Sequence, residues 1–373
     1  MKKMGTVCEI DKCTGCMACL EKCKCAAITL IDSLNSYNMV IDKAKCINCH
    51  ACENVCPNNN PPQKNVPIKW YQGWVDDEGL RQKSSSGGLA SILARCFIES
   101  GGICFSCALE DGKFVFIECS KIEDVQKIVG SKYVKSNPMG LYTKVRNYLL
   151  KNRKVLVIGL PCQIAAIKNF LGKELSKDLY LVDLICHGTP SPQLLDMFLK
   201  ENGYDLKLLK NIYFRTKNNF GISLFPSGVR DRYMKAFLSS LDYTENCYYC
   251  DYASVARVSD ITLGDSWGSE LSDKERKKGV SLIFCQTAKG EQLLDNAKLK
   301  LFAVDKDIAI EKNMQLSTPS KMHIKRDVFF QSLKRHNNFS KAVFKCFPQF
   351  CIRQNIKSIL IKLGIDHWGG KKR

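Results

Sequence analysis

Two cysteine runs of identical spacing constrain this chain more than any other feature. Cys13-x2-Cys16-x2-Cys19-x3-Cys23 and Cys46-x2-Cys49-x2-Cys52-x3-Cys56-Pro57 each put three thiols on one tight loop and a fourth just beyond it. That spacing lets a loop offer three thiolates to an iron–sulfur cubane, and in paired runs the fourth cysteine crosses to the other cluster. The expected ligand sets are therefore Cys13, Cys16, Cys19 and Cys56 for one 4Fe-4S cluster, and Cys46, Cys49, Cys52 and Cys23 for the other. Lys24 stands where proline usually follows the first run, a departure that removes no ligand. Cys8, Cys25 and His50 read as packing or surface residues.

The chain has 21 cysteines in 373 residues, an odd number, and no apolar segment follows the first lysines. Metal ligation explains such cysteine usage better than an exported disulfide framework does. A cytoplasmic location is expected. No apolar run approaches the ~18 residues that a membrane span needs. The length predicts two or three units. The first, residues 1–57, reads as a small α+β dicluster ferredoxin-like domain, and the Asn/Pro-rich stretch over 58–69 reads as a linker.

Beyond the linker the pattern alternates. Apolar residues at 89, 92, 93, 96 and 97 mark one face of a helix, residues 154–159 and 179–185 are β-rich, and helical segments follow each of them. Strand–helix–strand–helix order predicts an α/β domain with a mainly parallel sheet, over residues 70–310. Cys162 opens the helix after the first of these strands and Cys186 closes the second. Both are expected at the carboxyl edge of the sheet, where open α/β folds bind ligands. With the Cys247-x2-Cys250 pair they complete a set of four thiolates, which suits a third 4Fe-4S cluster. Cys96, Cys104, Cys107, Cys119, Cys285, Cys346 and Cys351 read as reduced core cysteines.

The segments KYV (132–134), GLPCQI (159–164), DLICHGTPSP (183–192), CYYCDYASVARVSDITLGDSWG (247–268) and GVSLIFCQTAKGEQLL (279–294) together resemble the β-subunit family of coenzyme F(420)-reducing hydrogenase and dehydrogenase, to which hydroxymethyl chlorophyll a reductase is related. The resemblance spans roughly residues 70–300. It implies a flavoprotein that binds FAD and a 4Fe-4S cluster on Cys162, Cys186, Cys247 and Cys250, three clusters in all with the N-terminal pair. Leu160 departs from the threonine more usual in the family before Pro-Cys.

Ser85, Ser86, Gly87 and Gly88 precede the helix near Leu89, so their backbone N–H groups are candidates for the FAD pyrophosphate; a plain helix cap is the alternative. Lys132, Arg257, Asp260 and Asp265 are further candidate flavin contacts. Lys132, His187 and Asp265 are candidate catalytic, proton-delivering residues. No Gly-x-Gly-x-x-Gly fingerprint follows a strand, which argues against a nicotinamide nucleotide as direct partner.

The formal charge is +19, and residues 321–373 hold thirteen Lys/Arg against Asp327 and Asp366. Residues 311–373 read as a basic helical extension. Its stripe of Ile352, Ile356, Ile359, Leu360 and Leu363 is expected to pack on the catalytic body, with a helix lying on an anionic membrane surface as the alternative. An acidic redox partner such as a ferredoxin or another subunit fits the charge, and no nucleic-acid module is present. The function expected is an FAD-dependent iron–sulfur oxidoreductase linking a small-molecule or deazaflavin-type carrier to one-electron centres. The rivals are a non-catalytic electron-transfer subunit and an iron–sulfur sensor or anchoring protein.

Overall fold

The structure, a computed structural model, describes residues 5–217, 219–225 and 231–363; residues 1–4 and 364–373 of the expected terminal units lie outside the described residues. The chain opens with β1 (Gly5–Thr6), α1 (Ala18–Lys22), β2 (Ile28–Asp32), β3 (Tyr37–Ile41) and α2 (Ala51–Val55). Its three strands form an antiparallel sheet in the order β1-β3-β2. The chain continues through β4 (Lys69–Val75), α3 (Glu78–Lys83), α4 (Leu89–Glu99), β5 (Ile103–Glu110), β6 (Lys113–Cys119), α5 (Val125–Ile128) and α6 (Leu141–Leu150). There follow β7 (Val155–Gly159), α7 (Pro161–Leu171), β8 (Leu179–Leu184), α8 (Pro192–Glu201), the hairpin β9 (Arg215–Thr216) and β10 (Asn219–Phe220), then β11 (Ile261–Asp265), β12 (Ser281–Cys285) and β13 (Leu299–Ala303).

The main sheet has eight strands among the described residues, ordered β13-β4-β12-β11-β8-β7-β5-β6. Its centre, β11-β8-β7-β5, is parallel, and antiparallel pairs flank it. The VLVIG of β7 is buried along its whole length because helices cover both faces. Val155 and Val157 pack with α6 and α7, while Leu156 and Ile158 pack with α4, as a period of two requires. Each such buried side chain contributes roughly 1.5–3 kcal/mol.

The N-terminal unit shares its core with the α6–α7 face. The Glu21 carboxylate accepts from Gly140 N at 2.5 Å, Thr143 N at 3.0 Å and Thr143 Oγ1 at 2.8 Å, so an acid of the first unit caps α6 of the second. Tyr142 donates its hydroxyl to the Cys16 carbonyl, and Ser191 Oγ to Asp32 Oδ2 at 2.6 Å. These bonds fix the cysteine loops against the sheet.

The C-terminal extension departs from expectation. The helices Arg326–His336 and Phe339–Cys346 bury Phe329, Leu333, Phe339 and Val343 in an aromatic cluster with Phe198 and Tyr233. The last helix, Pro348–Lys362, reaches that cluster only through its first turn, where Cys351 is buried. Most of its stripe therefore faces water: Ile352, Ile356, Ile359 and Leu363 are 49%, 41%, 57% and 68% exposed, while Leu360 is half-buried. No helix of the described residues is long and apolar enough to cross a membrane.

Candidate functional site

The two cysteine loops have matched backbones. Gly15 and Met17 have φ of 70° and 60°, and Asn48 and His50, at the same positions of the second loop, have 55° and 55°. Left-handed residues at these points curl each loop inward, and the following helices α1 and α2 hold the third cysteine of each run. Gly15 N donates to Cys13 Sγ at 3.4 Å and Asn48 N to Cys46 Sγ at 3.4 Å, the same N–H···S contact twice.

Cys13, Cys16, Cys19 and Cys56 line one small cavity, so the last cysteine of the second run does reach the first loop. Cys8, read from sequence as a packing residue, lines it too. Burial pushes the Cys16 thiol up to about 11. Conversely Cys23, from the first run, stands beside Cys52 in the second loop. This second group faces outward, with Cys49 exposed and Ile47 69% exposed beside it. His50 pairs with Glu53 at 2.9 Å on the surface, and Cys25 is half-buried.

Cys162 is the second residue of α7, Cys186 follows β8, Cys247 sits in the turn at Glu245–Tyr249 and Cys250 directly follows that turn. The parallel β7–β8 pair brings the first two to the carboxyl edge, and all four line a cavity of about 340 Å³. Among the described residues no three His, Cys, Asp or Glu side chains converge as around a single ion. Four thiols around one cavity form a donor set that could hold an iron–sulfur cluster.

Two buried cations line the same cavity. Lys135, 5% exposed, donates Nζ to Thr14 O at 3.0 Å and pulls the thiols of Cys162 and Cys186 toward ionisation; burial outweighs it, pushing Cys186 up to about 12. Arg257 is 1% exposed, and its Nε and Nη2 have no hydrogen-bond partner. It lies near Cys250 and the buried Asp183. A buried guanidinium with idle donors is costly unless an anion meets it, and a thiolate-ligated cubane is such an anion. Arg257, read from sequence as a flavin contact, therefore belongs to the thiol cavity. Thr14 and Asn58 line both this cavity and that of Cys13, so the two sites share a wall.

Farther along the carboxyl edge lies the second group of expected residues. Ser85 Oγ accepts from Ser131 N at 2.9 Å, Ser86 Oγ donates to Val280 O at 2.9 Å, and Gly87 N donates to Ser281 Oγ at 3.0 Å. A Cβ on Gly87 would stand 2.4 Å from Gly73 O, so this glycine is required by close packing on β4. Gly87→Ala is expected to cost roughly 1–3 kcal/mol by overpacking, read as a lowered melting temperature in calorimetry; an unchanged transition would show the loop free to move away.

Lys132 Nζ donates to Ile128 O at 2.7 Å and Val129 O at 3.0 Å, and burial lowers its pKa to about 8. Asp265 is held by Arg215 in a two-pronged pair of 2.6 and 2.9 Å, so its carboxylate is already engaged. His187 opens into the thiol cavity, where water reaches the ring, yet the protein around it depresses its pKa through desolvation; Asp265 and Arg215 are its charged neighbours. Asp260 does not join the group. It precedes β11 at the opposite edge of the sheet, accepting from Leu181 N at 2.8 Å and Thr287 Oγ1 at 2.6 Å.

Sequence reading missed Lys135, Arg215, Lys217 and Cys8. Lys135 adjoins the KYV segment, and Cys8 precedes the first run by five positions, so both carried a faint local signal. Arg215 and Lys217 carried none, since the β9–β10 hairpin that delivers them to Asp265 and Ser86 comes from a remote stretch.

Residues 152–310 match the family model for the C terminus of the beta subunit of coenzyme F(420) hydrogenase/dehydrogenase, and residues 12–60 match the 4Fe-4S dicluster domain. The chain is 23% identical over 318 residues to the F subunit of the F(420)H(2) dehydrogenase of Methanosarcina mazei, covering 79% of this chain and 84% of that one. It is 22% identical over 332 residues to the coenzyme F(420)-dependent sulfite reductase of Methanocaldococcus jannaschii, covering 80% of this chain and 48% of that protein, about half its length. A solved chain of the F(420)-reducing NiFe hydrogenase complex from Methanosarcina barkeri overlaps with a TM-score of 0.45 at 17% identity, over 74% of this chain and 95% of that one. These matches mark an iron–sulfur electron-transfer protein among oxidoreductase relatives. Residues 152–310 thus carry the C-terminal domain of the coenzyme F(420) hydrogenase/dehydrogenase β-subunit family, with a 4Fe-4S dicluster domain ahead of it at residues 12–60.

Proposed function

We propose that the chain is an iron–sulfur flavoprotein that moves electrons between a two-electron carrier, small or deazaflavin-like, and a one-electron redox partner through three 4Fe-4S clusters. The observation that carries this reading is the wall of Thr14 and Asn58 shared by two thiol-lined cavities, one of which also takes in His187 at the carboxyl edge. FAD, when bound, supplies the conversion between paired and single electrons.

The chain's own residues suit that division. Cys162, Cys186, Cys247 and Cys250 would hold the third cluster, with Lys135 and Arg257 offsetting its negative charge. Lys217 Nζ donates to the carbonyls of Arg81 and Ser86, and burial, then the charges of Arg81 and Arg215, lower its pKa to about 8. Placed beside Ser85, Ser86 and the start of α4, Lys217, with Arg81 and Arg215 near it, suits the anionic pyrophosphate of FAD. Lys132 and His187 are the groups placed to hold or pass a proton near the carrier. The exposed rim at Cys49 and Ile47 is the natural face for the one-electron partner, another subunit or an acidic ferredoxin.

Anaerobic reconstitution followed by cofactor extraction tests the reading. About twelve irons, from three cubanes, and one FAD per chain are expected. Only eight irons would remove the third cluster. Clusters without flavin would leave a non-catalytic electron-transfer subunit, a reading favoured by the structural employment of Gly87 and Lys132.

A further inference from the structure

A cubane takes four cysteine thiolates, yet five cysteines line the first cavity: Cys8, Cys13, Cys16, Cys19 and Cys56. Cys8 is held there firmly. Its residue is 8% exposed, Val7 N ties the segment to Met39 O at 2.9 Å, and Thr6 Oγ1 donates to its carbonyl at 2.7 Å. Asn58, two residues past Cys56, donates Nδ2 to Cys8 Sγ at 3.7 Å and to Lys12 O at 2.5 Å, drawing together the Cys8 segment, the first loop and the Cys56 segment. The thiol of Cys8 stands beside those of Cys13 and Cys56. Cys25, the other cysteine of this unit outside the two runs, does not line the cavity.

We propose that Cys8 is a reserve ligand of the first cluster, able to replace Cys13 or Cys56. The exchange is balanced without any redox change. The iron–sulfur bond to Cys13 breaks and that thiolate takes up a proton, while the Cys8 thiol gives up its proton and forms the new bond to the same iron. A site with such a spare thiol keeps its cluster when one ligand is lost to alkylation or oxidation. The inference rests on the reading that Cys13, Cys16, Cys19 and Cys56 hold a cubane, and the iron content of the wild type tests that separately.

The experiment compares the full chain with Cys8→Ala, Cys13→Ala, Cys16→Ala and the double variant Cys8→Ala/Cys13→Ala after anaerobic reconstitution. Iron, acid-labile sulfide and the low-temperature electron paramagnetic resonance of the reduced clusters are the readouts. Cys8→Ala is expected to keep all its iron. Cys13→Ala should also keep it, with an altered resonance, while the double variant and Cys16→Ala lose about one third of it, the share of one cubane among three. Equal iron loss in Cys13→Ala and the double variant overturns the proposal. Should Cys13→Ala fail to fold by circular dichroism, Cys56→Ala with and without Cys8→Ala makes the same comparison, and equal loss there overturns it likewise.

Discussion

Replacing Cys247 and Cys250 together with alanine is expected to remove about one third of the iron, one cubane of three, and to cut the N-terminal clusters off from the carboxyl edge. Both cysteines lie outside the strands, Cys247 in the short turn where it packs into the aromatic cluster and Cys250 directly after it, so alanine leaves the sheet itself untouched. The cavity they line is the one that touches both the wall of Thr14 and Asn58 and the ring of His187. A two-electron donor should therefore still bleach the flavin absorbance of the variant, while reduction of the N-terminal clusters in the same stopped-flow trace slows sharply. Flavin content and circular dichroism, measured beside the traces, distinguish this from unfolding, in which both steps fail together. Undiminished transfer in a folded variant without the third cluster would leave that cluster a structural role only.

The second large effect is expected at Arg257. Its guanidinium is buried, lacks partners on two nitrogens, and lies near Cys250 and Asp183. Asp183 is itself fully buried, and burial raises its pKa while Arg257 and the 2.6 Å bond from Thr262 oppose that rise. Arg257→Gln removes the cation from both neighbours. Leaving a buried charge unmatched costs roughly 3–5 kcal/mol, so the thermal transition should fall markedly. The third cluster should also become harder to reduce, because an added electron no longer meets a nearby positive charge. A negative shift on the order of tens of millivolts is expected, where about 59 mV is a tenfold change for one electron. Arg257→Lys should restore part of the shift. An unchanged potential for this cluster in a folded Arg257→Gln chain would place the guanidinium's role in packing alone.

How much of this was legible beforehand differs from residue to residue. The ligand loops were readable because each is local: three thiols within seven residues, bent by left-handed positions at the same two points, need no distant partner to define them. The parallel sheet was readable from alternation of periods, and with it the meeting of Cys162 and Cys186, since residues just after two parallel neighbouring strands share one edge. Arg257, Asp260 and Asp265 look like one constellation in sequence and are not one in space. The five residues of β11 separate Asp260 from Asp265 by roughly 17 Å at the rise of a strand, which sends one to each edge of the sheet, while Arg257 turns back to the thiol cavity. The ionic partner of Asp265 comes from fifty residues away, and only chain packing could choose Arg215 for it. The isoleucine stripe of the last helix was legible as a stripe. Whether it is covered depends on what lies opposite, and the aromatic cluster is already filled by the two preceding helices. Sequence alone thus determined the local chemistry, the two cluster-binding loops and the order of strands and helices, because short-range spacing and periodicity encode them. Tertiary structure decided which remote charges meet the thiols and which apolar face stays bare, because those depend on the free energy of burying groups that are neighbours only after folding.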